Sequence, residues 1–353
     1  MRETLAEWRP AVDATIAELL PREVTEAYLA DFFGEPTYEY DAEAVQRALS
    51  DPIWELLDRG GKRWRAVLFL LLVEAFDDDP ERYMEYACIP EILHNGTIVV
   101  DDVEDAATMR RGDEALHHVY GTDIALNAGN AMYFLPLKVI MRNPADLPAD
   151  RRLAAYEMLM HELNRTHLGQ GMDIVWHNQT AVDVTEPEYL EMCACKTGCL
   201  GRIVARLAAI VTDNQASEEA VARYAESMSV AFQIADDILD VEYAMEHGGE
   251  FGKGLGNDVR EGKKTLLVIH AANRVDSETA ARLEAILQAE ENTDAEVVEA
   301  IEILQDAGAV EYARQFATDL AADARAHLDS ADLTEAGQAR LAEFTRFVVD
   351  REV

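Results

Sequence analysis

Apolar side chains recur at three- and four-residue spacing along most of the chain, which is typical of helices that bury one face. The pattern predicts helices over 62–76, 84–107, 122–142, 150–177, 187–212, 217–243, 263–275, 278–289, 295–306, 308–329 and 334–350. Convincing strand alternation and a strand–helix–strand rhythm are both missing from the pattern. We therefore expect an all-α protein of ten or more helices.

Breaks between the predicted helices fall at clusters of Pro, Gly and Asp, such as 77–80 and 247–257. No low-complexity linker divides the 353 residues, and no short repeat recurs. The interpretation is a single domain over 1–353. Residues 1–50 would form outer N-terminal helices, 55–275 a core that carries the motifs, and 276–353 the C-terminal helices.

Charge narrows the possible functions, because 68 acidic residues face 31 basic ones and the net charge is −37. Such a polyanion repels nucleic-acid phosphates, so we discount nucleic-acid binding. The acids are spread along a chain that is 49% hydrophobic, which argues against an acidic disordered tail. A halophile's surface, solvated by carboxylates in concentrated salt, is the favoured interpretation.

Several features of the sequence bear on the compartment in which the protein resides. The N-terminus is charged and lacks the apolar core of a secretory signal, and the longest apolar run, 66–73, is too short for a membrane span. Four cysteines in a chain of this length suggest no disulfide framework. Cys193, Cys195 and Cys199 are interpreted as small packing residues rather than metal ligands. We expect a cytoplasmic protein without a transmembrane segment.

Two aspartate clusters end apolar helices and have apolar residues between their acids. They comprise Asp101, Asp102, Asp105 and Asp236, Asp237, Asp240. Residues four apart share a helix face, so each cluster presents carboxylates together, and something cationic should compensate them. Oxygen ligands without histidine or thiolate suit Mg²⁺. The clusters predict a two-sided magnesium clamp on a diphosphate, and the alternative is a pair of surface helix caps.

Basic residues are concentrated in glycine-containing motifs, although the chain keeps only six lysines. In GGKRWR, Lys62 and Arg65 lie near a helix start, where amide donors also favour an anion. The other basic sites are Arg110 with Arg111, Lys196 before Thr197, and Lys253, Lys263 and Lys264 in the 251–265 segment. An acidic protein with cations in these places is expected to bind a polyanionic small molecule together with a metal.

The motifs GGKRWR, DDVED with MRRG, GQGMDIVW, KTG and FQIADDILD follow one another within 55–275. Their order and spacing resemble the trans-isoprenyl diphosphate synthase, or polyprenyl synthetase, family. The segment LHNGTIVVDDVED is most similar to the corresponding segment of eukaryotic-type geranylgeranyl diphosphate synthases. Two departures are Ala66, where the family usually has proline, and Val100, where many members have histidine.

The resemblance implies an all-α isoprenoid synthase fold around a central cavity and a head-to-tail condensation of isopentenyl diphosphate with an allylic diphosphate. Three Mg²⁺ ions would bind the allylic diphosphate through the six clustered aspartates. Other contacts to that diphosphate would come from Arg110, Lys196, Thr197, Gln233, Lys253 and Lys263. Isopentenyl diphosphate would be bound by Lys62, Arg65, His94 and Arg111. Family members are commonly homodimers, so we expect one here.

Product length depends on which residues close the channel into which the product grows. In some relatives an aromatic residue four or five positions before the first aspartate stops chain growth, but here Gly96 and Thr97 are small. Tyr133 and Phe134 are candidates for the channel floor, although ordinary core packing explains them equally well. We expect a twenty-carbon product, with geranylfarnesyl or farnesyl diphosphate as alternatives.

Two other functions remain open. A class I terpene cyclase would lack the second DDILD motif and the isopentenyl set, and a non-catalytic partner subunit usually loses one aspartate cluster. Both features are present here, which disfavours both alternatives.

Overall fold

A computed structural model of the protein describes residues 1–178, 182–246, 256–289 and 292–349. The chain divides into two compact units, one of Met1–Glu157 with Ile210–Asp213, the other of Met158–Ala209 with Asn214–Val353. Helices account for nearly all regular structure in the described residues, so the all-α prediction is confirmed.

The first unit is built around a helix that is buried on every side. Its helices are α1 Arg2–Leu19, α2 Glu26–Phe33, α3 Ala42–Val45, α4 Asp51–Asp58, α5 Trp64–Ala75, α6 Met84–Glu104, α7 Leu116–Tyr120, α8 Thr122–Phe134 and α9 Leu137–Arg142. Residues 66–73 of α5 are at most 1% exposed. A helix that is apolar all round belongs in a core, and α1 and α6 pack against this one.

Helices α6 and α8 approach closely at a pair of glycines. A Cβ atom at Gly96 would lie 2.8 Å from the Cβ of Met132 and 2.9 Å from the carbonyl oxygen of Gly129. Helix packing therefore requires a glycine at position 96, so the small size of this residue is not a measure of channel depth.

Two local features of the first unit differ from the prediction. The predicted helix 122–142 is interrupted between α8 and α9, because Pro136 has no N–H to continue the helix. A two-stranded hairpin, β1 Met109–Arg110 with β2 Asp113–Glu114, follows α6. Its turn residues Arg111 and Gly112 have φ of 54° and 88°, as a type I′ turn requires. Two-residue strands are too short to show alternation.

The second unit contains α11 Glu186–Cys193, α13 Glu218–Glu246, α14 Asn257–Arg260, α15 Leu266–Ala272, α16 Ser277–Leu287, α17 Asp294–Asp306, α18 Ala309–His327 and α19 Glu335–Val349. Helices α10 Ala149–His177 and α12 Cys199–Val211 contribute residues to both units. Helix α18 packs along α13. It buries an alanine stripe at 309, 313, 317, 321 and 324, whose small side chains permit that approach.

Two helices of the second unit differ in extent from their prediction, and in each a local feature of the backbone is the cause. The predicted helix 187–212 contains a π-helical turn, Ala194–Gly198, between α11 and α12. The predicted helix 263–275 begins only at Leu266, because the hydroxyl of Thr265 accepts from the amide of Val268 and caps it. Lys263 and Lys264 therefore precede the helix.

By length and composition alone, one described stretch, Thr122–Arg142, could cross a membrane. One such stretch is weak evidence, because core helices of soluble proteins pass the same test.

Candidate functional site

The first aspartate cluster lies at the C-terminal end of α6. Asp101 and Asp102 belong to its last turn, and Asp105 follows its last residue. Asp102 is 2% exposed and accepts a hydrogen bond at Oδ1 from Nε of Arg110, 2.7 Å away. Burial raises the pKa of Asp102, while the bond to Arg110 and its charge act in the opposite direction. Asp102 and Arg110, which the family resemblance assigned to the allylic diphosphate, therefore contact each other in the structure.

His94 lies on α6 seven residues before Asp101, within a cluster of arginines. Burial lowers the pKa of His94 well below its usual value, and the charges of Arg65, Arg111, Arg110 and Arg63 lower it further. Its Nδ1 is buried and has no hydrogen-bond partner among the described residues. A neutral imidazole therefore lies within a region of positive charge, in a protein whose net charge is −37.

The GGKRWR loop leads into α5. Lys62 is exposed, whereas Arg65 is 4% exposed and its guanidinium stacks 4.2 Å from the ring centroid of Trp64. The amides of Arg65 and Ala66 donate to Oε1 of buried Glu91, at 2.9 and 3.2 Å. The expectation that amides at this helix start receive an anionic ligand is wrong for these two, because Glu91 caps them. Ala66 makes a bond that the usual proline could not make.

Arg111 joins this loop to α6. Its Nη1 donates to the carbonyl oxygens of Leu56 and Gly60, at 3.2 and 2.7 Å, and its Nη2 donates to Oδ1 of Asn95 at 3.1 Å. Asn95 is fully buried. Asn95 and Glu91 were not predicted, although two polar residues within an apolar helix were the available signal.

The second aspartate cluster lies on α13, around a buried carboxylate. Asp237 is 5% exposed and accepts from the hydroxyl of Tyr189 at 2.8 Å and from Nε2 of Gln233 at 2.9 Å. Burial raises the pKa of Asp237 to about 6, although both hydrogen bonds act to lower it. Tyr189 was not predicted, because one tyrosine on a helix carries no sequence signal.

Asp240 is held by the backbone that begins α14. The amides of Asn257 and Asp258 each donate to its carboxylate at 3.2 Å, and burial still raises its pKa. Nζ of Lys263 lies 3.6 Å from Oδ1 of Asp258 and 2.5 Å from Oε2 of Glu261. Asp236 is half-buried on the same helix. Predicted Lys253 lies outside the described residues.

The π-helical turn presents the KTG motif. Nζ of Lys196 lies 2.5 Å from Oδ2 of Asp173, and the hydroxyl of Thr197 donates to Oε1 of Gln233 at 3.1 Å. A Cβ atom at Gly169 would lie 2.3 Å from the backbone nitrogen of Lys196, so α10 can meet this turn only through a glycine. The second unit therefore brings Lys196, Thr197, Gln233 and Asp237 close to one another, with Gln233 bonded to both Thr197 and Asp237.

The donor atoms fit Mg²⁺ that is shared with a ligand. Within the described ranges, no group of three or more Asp, Glu, His or Cys residues is arranged to hold a metal ion. Mg²⁺ commonly uses one or two carboxylates and completes its coordination with waters and substrate phosphates. Burial disfavours the charge of Asp102 and Asp237, and a bound cation would offset that penalty.

Comparison with known proteins gives the family. Residues 46–304 match the polyprenyl synthetase family. A short chain isoprenyl diphosphate synthase of Methanocaldococcus jannaschii is 35% identical over 73% of this chain and 76% of that protein. A geranylfarnesyl diphosphate synthase of Natronomonas pharaonis is 32% identical over 84% and 88%. The crystal structure of a geranylgeranyl pyrophosphate synthetase from Pyrococcus horikoshii superposes with a TM-score of 0.84 at 28% identity, covering 99% of each chain. The chain belongs to the polyprenyl synthetase family and is a prenyltransferase.

Proposed function

We propose that this prenyltransferase condenses isopentenyl diphosphate with an allylic diphosphate head to tail and releases geranylgeranyl diphosphate. The observation that carries the proposal is the group of arginines 63, 65, 110 and 111 around neutral His94, next to the carboxylate of Asp102. Concentrated positive charge beside a buried carboxylate suits a diphosphate together with a divalent cation.

The two diphosphates would use different residues. Isopentenyl diphosphate would be bound by Lys62, Arg65, His94 and Arg111, of which Arg65 and Arg111 lie near enough to His94 to lower its pKa. The allylic diphosphate would be bound by Arg110, Lys196, Thr197, Gln233, Lys253 and Lys263. The hydrogen bonds that Gln233 makes to Thr197 and Asp237 support the second assignment.

We assign three Mg²⁺ ions to the six aspartates 101, 102, 105, 236, 237 and 240. Magnesium bound there would neutralise the diphosphate leaving group and favour its departure from the allylic carbon. The arginines would orient isopentenyl diphosphate so that its double bond attacks the resulting cation. The departing diphosphate would accept the proton, so no side chain is assigned as the base.

A twenty-carbon product is the proposed chain length. The similarity to the Pyrococcus geranylgeranyl synthetase over 99% of both chains supports it. The similarity to the Natronomonas geranylfarnesyl synthase makes a twenty-five-carbon product the second candidate. Tyr133 is buried and Phe134 is 63% exposed, so of these two floor candidates Tyr133 is the one inside the first unit.

We also propose a homodimer. Met160, Leu168 and Val175 lie at seven- or eight-residue spacing on α10 and are 49%, 63% and 53% exposed. This spacing places them on one helix face, and an exposed apolar face of this kind is suited to a second copy of the chain.

The remaining assignments rest on sequence. They are a single catalytic domain, a cytoplasmic location, and a surface adapted to high salt, which the net charge of −37 supports. The eukaryotic-type assignment rests on the sequences of the motifs, and the two relatives named above are archaeal.

A product assay tests the proposal. The chain, purified in concentrated KCl, receives Mg²⁺, labelled isopentenyl diphosphate and one of dimethylallyl, geranyl or farnesyl diphosphate, and the dephosphorylated products are sized. We expect a twenty-carbon alcohol, and no incorporation by the matched Asp101→Ala variant. A longer alcohol would overturn the chain length alone. Failure to incorporate isopentenyl units with every primer would overturn the condensation.

A further inference from the structure

Helix α1 is tied to the GGKRWR loop, although it lies outside the 46–304 match to the family. We propose that Asp13 on α1 is a positioning residue for isopentenyl diphosphate. It would act by holding Arg63, and through Arg63 the neighbouring Lys62, in the binding conformation. The inference rests on the assignment of this loop to isopentenyl diphosphate.

Arg63 depends on Asp13 for its charge balance. Its side chain is 4% exposed, and its Nε donates to Oδ1 of Asp13 at 2.7 Å. Its Nη2 donates to the carbonyl oxygen of Leu57 at 3.1 Å. Across the described ranges, Asp13 is the one carboxylate within ion-pair distance of Arg63. Because a buried guanidinium needs a counter-charge, Arg63 is expected to keep this position only while residue 13 carries the carboxylate.

The loop backbone depends on Arg63 in turn. Arg63 has φ of 51°, in the left-handed region that residues other than glycine seldom occupy. It follows Gly60 and Gly61, which also have positive φ. A Cβ atom at Gly61 would lie 3.0 Å from Nη1 of Arg63, so the guanidinium folds back over its own loop. Strain of this kind persists only where surrounding contacts hold it.

Helix α1 is a firm anchor for this contact. Val12 and Ile16, on either side of Asp13 in sequence, are 0% and 1% exposed, and α1 packs against α5 and α6. Arg111 holds Gly60 from the side of α6. In sequence, Lys62 lies between Gly60, which Arg111 holds, and Arg63, which Asp13 holds. Releasing the Asp13 side is therefore expected to misplace Lys62 without removing any substrate contact.

The test is the Asp13→Asn variant, which keeps the shape of the side chain and removes its charge. We expect its KM for isopentenyl diphosphate to rise by about tenfold or more, because small displacements of binding groups are costly. Its KM for the allylic diphosphate should stay at the wild-type value. Asp13→Glu, which restores the charge, should recover most of the lost affinity.

Asp31→Asn is the matched control. Asp31 lies on α2, its side chain is exposed, and its Oδ2 pairs with Nη2 of Arg142 at 3.6 Å, whereas Asp13 pairs with a residue of the loop. We expect wild-type values of KM for both substrates. A merely structural role for Asp13 would lower the melting temperature but leave the ratio of the two KM values unchanged, and that result would overturn the inference.

Hydrogen exchange separates this inference from the proposed condensation. If wild-type protein does not use isopentenyl diphosphate, the proposed function is wrong, but the loop contact can still be measured. Amide exchange over residues 58–63 should be faster in Asp13→Asn than in wild type and in Asp31→Asn. Equal exchange in all three proteins would overturn the positioning role.

Discussion

Asp237 is a buried carboxylate whose two side-chain hydrogen-bond donors are uncharged. Tyr189 and Gln233 each donate to one of its oxygens, and both bonds favour the ionised form. Asp102 differs, because its donor Arg110 carries a full charge. The pKa of Asp237 should therefore depend on each of these two neutral hydrogen bonds.

Replacement of Tyr189 by phenylalanine removes one of those donors without changing the shape of the core. We expect the pKa of Asp237 to rise, because the lost hydrogen bond favoured the charged form. The Mg²⁺ concentration needed for half-maximal activity should increase by about 10- to 100-fold, the usual effect of losing a partner that orients a ligand. Magnesium titration of the turnover rate measures this change.

Tyr224→Phe is the control for that substitution. Tyr224 is also fully buried in the second unit, but its hydroxyl donates to the carbonyl oxygen of Leu341 at 2.9 Å. We expect a loss of stability of about 1 kcal/mol and an unchanged magnesium requirement. A similar change of magnesium requirement in both variants would contradict the role given to Tyr189.

The raised pKa of Asp237 also predicts a pH dependence. Its carboxyl takes up a proton as pH falls through about 6, and the protonated form is a poor metal ligand. Activity should therefore fall as pH is lowered from about 7 to about 5. Mg²⁺ competes with the proton, so a higher Mg²⁺ concentration should move the midpoint to lower pH. Rate profiles at two Mg²⁺ concentrations test this, and coincident midpoints would contradict it.

Among the elements, the π-helical turn Ala194–Gly198 both packs against another helix and carries residues of the candidate site. It presents Lys196 and Thr197, and α10 meets it at Gly169. Wide turns of this kind are frequent at functional sites. The geometry of this contact should therefore affect both folding and turnover.

Two glycines on α10 allow this contact to be tested. In Gly169→Ala the new methyl group would collide with the backbone of the π turn, so we expect a loss of stability of about 1–3 kcal/mol and reduced turnover. In Gly171→Ala the methyl group meets nothing within 4 Å, so a gain of about 0.5–1 kcal/mol is expected from helix propensity. Urea unfolding of both variants measures the difference, and equal effects would contradict the packing account.

Periodicity predicted the elements well where one apolar face extends over several turns. The predicted helix 84–107 is α6, Met84–Glu104, and 308–329 is α18, Ala309–His327. It failed where a single residue decides the geometry. Pro136 interrupts 122–142, and the cap at Thr265 delays the start of α15, because neither effect has a periodic signature.

In the candidate site, the residues that the sequence could single out are those that stand in motifs. Asp102, Asp237, Gln233 and Lys196 lie in recognisable strings, and the structure gives each of them a polar side-chain partner. Partners such as Tyr189 and Glu91 come from outside these strings. Glu91 is marked in the sequence only as a polar residue within an apolar helix, and Tyr189 has no sequence signal, because the role of each depends on tertiary packing.

At the scale of the whole molecule, the net charge of −37 dominates. Carboxylates spread over the chain repel one another unless ions screen them, and the screening length falls from about 10 Å at 0.1 M salt to about 3 Å at 1 M. The repulsion acts on the folded state most strongly, because folding brings the charges closer together.

We therefore expect the melting temperature to rise as KCl increases from about 0.1 M to about 3 M, by about 1–2 °C for each kcal/mol gained. Sucrose is the control, since it stabilises folded proteins by exclusion from their surface but does not screen charge. A melting temperature that does not change with KCl, or that rises equally with sucrose of matched osmolality, would contradict the electrostatic account.

The arginines around His94 have a consequence for the kinetics of encounter. A diphosphate approaching this protein meets a field of its own sign over most of the surface, and attraction begins only close to the arginines. In most enzymes that bind anions, added salt slows substrate capture because it screens a favourable field. Here it should weaken the repulsion first, so that the bimolecular capture rate increases with ionic strength before it declines.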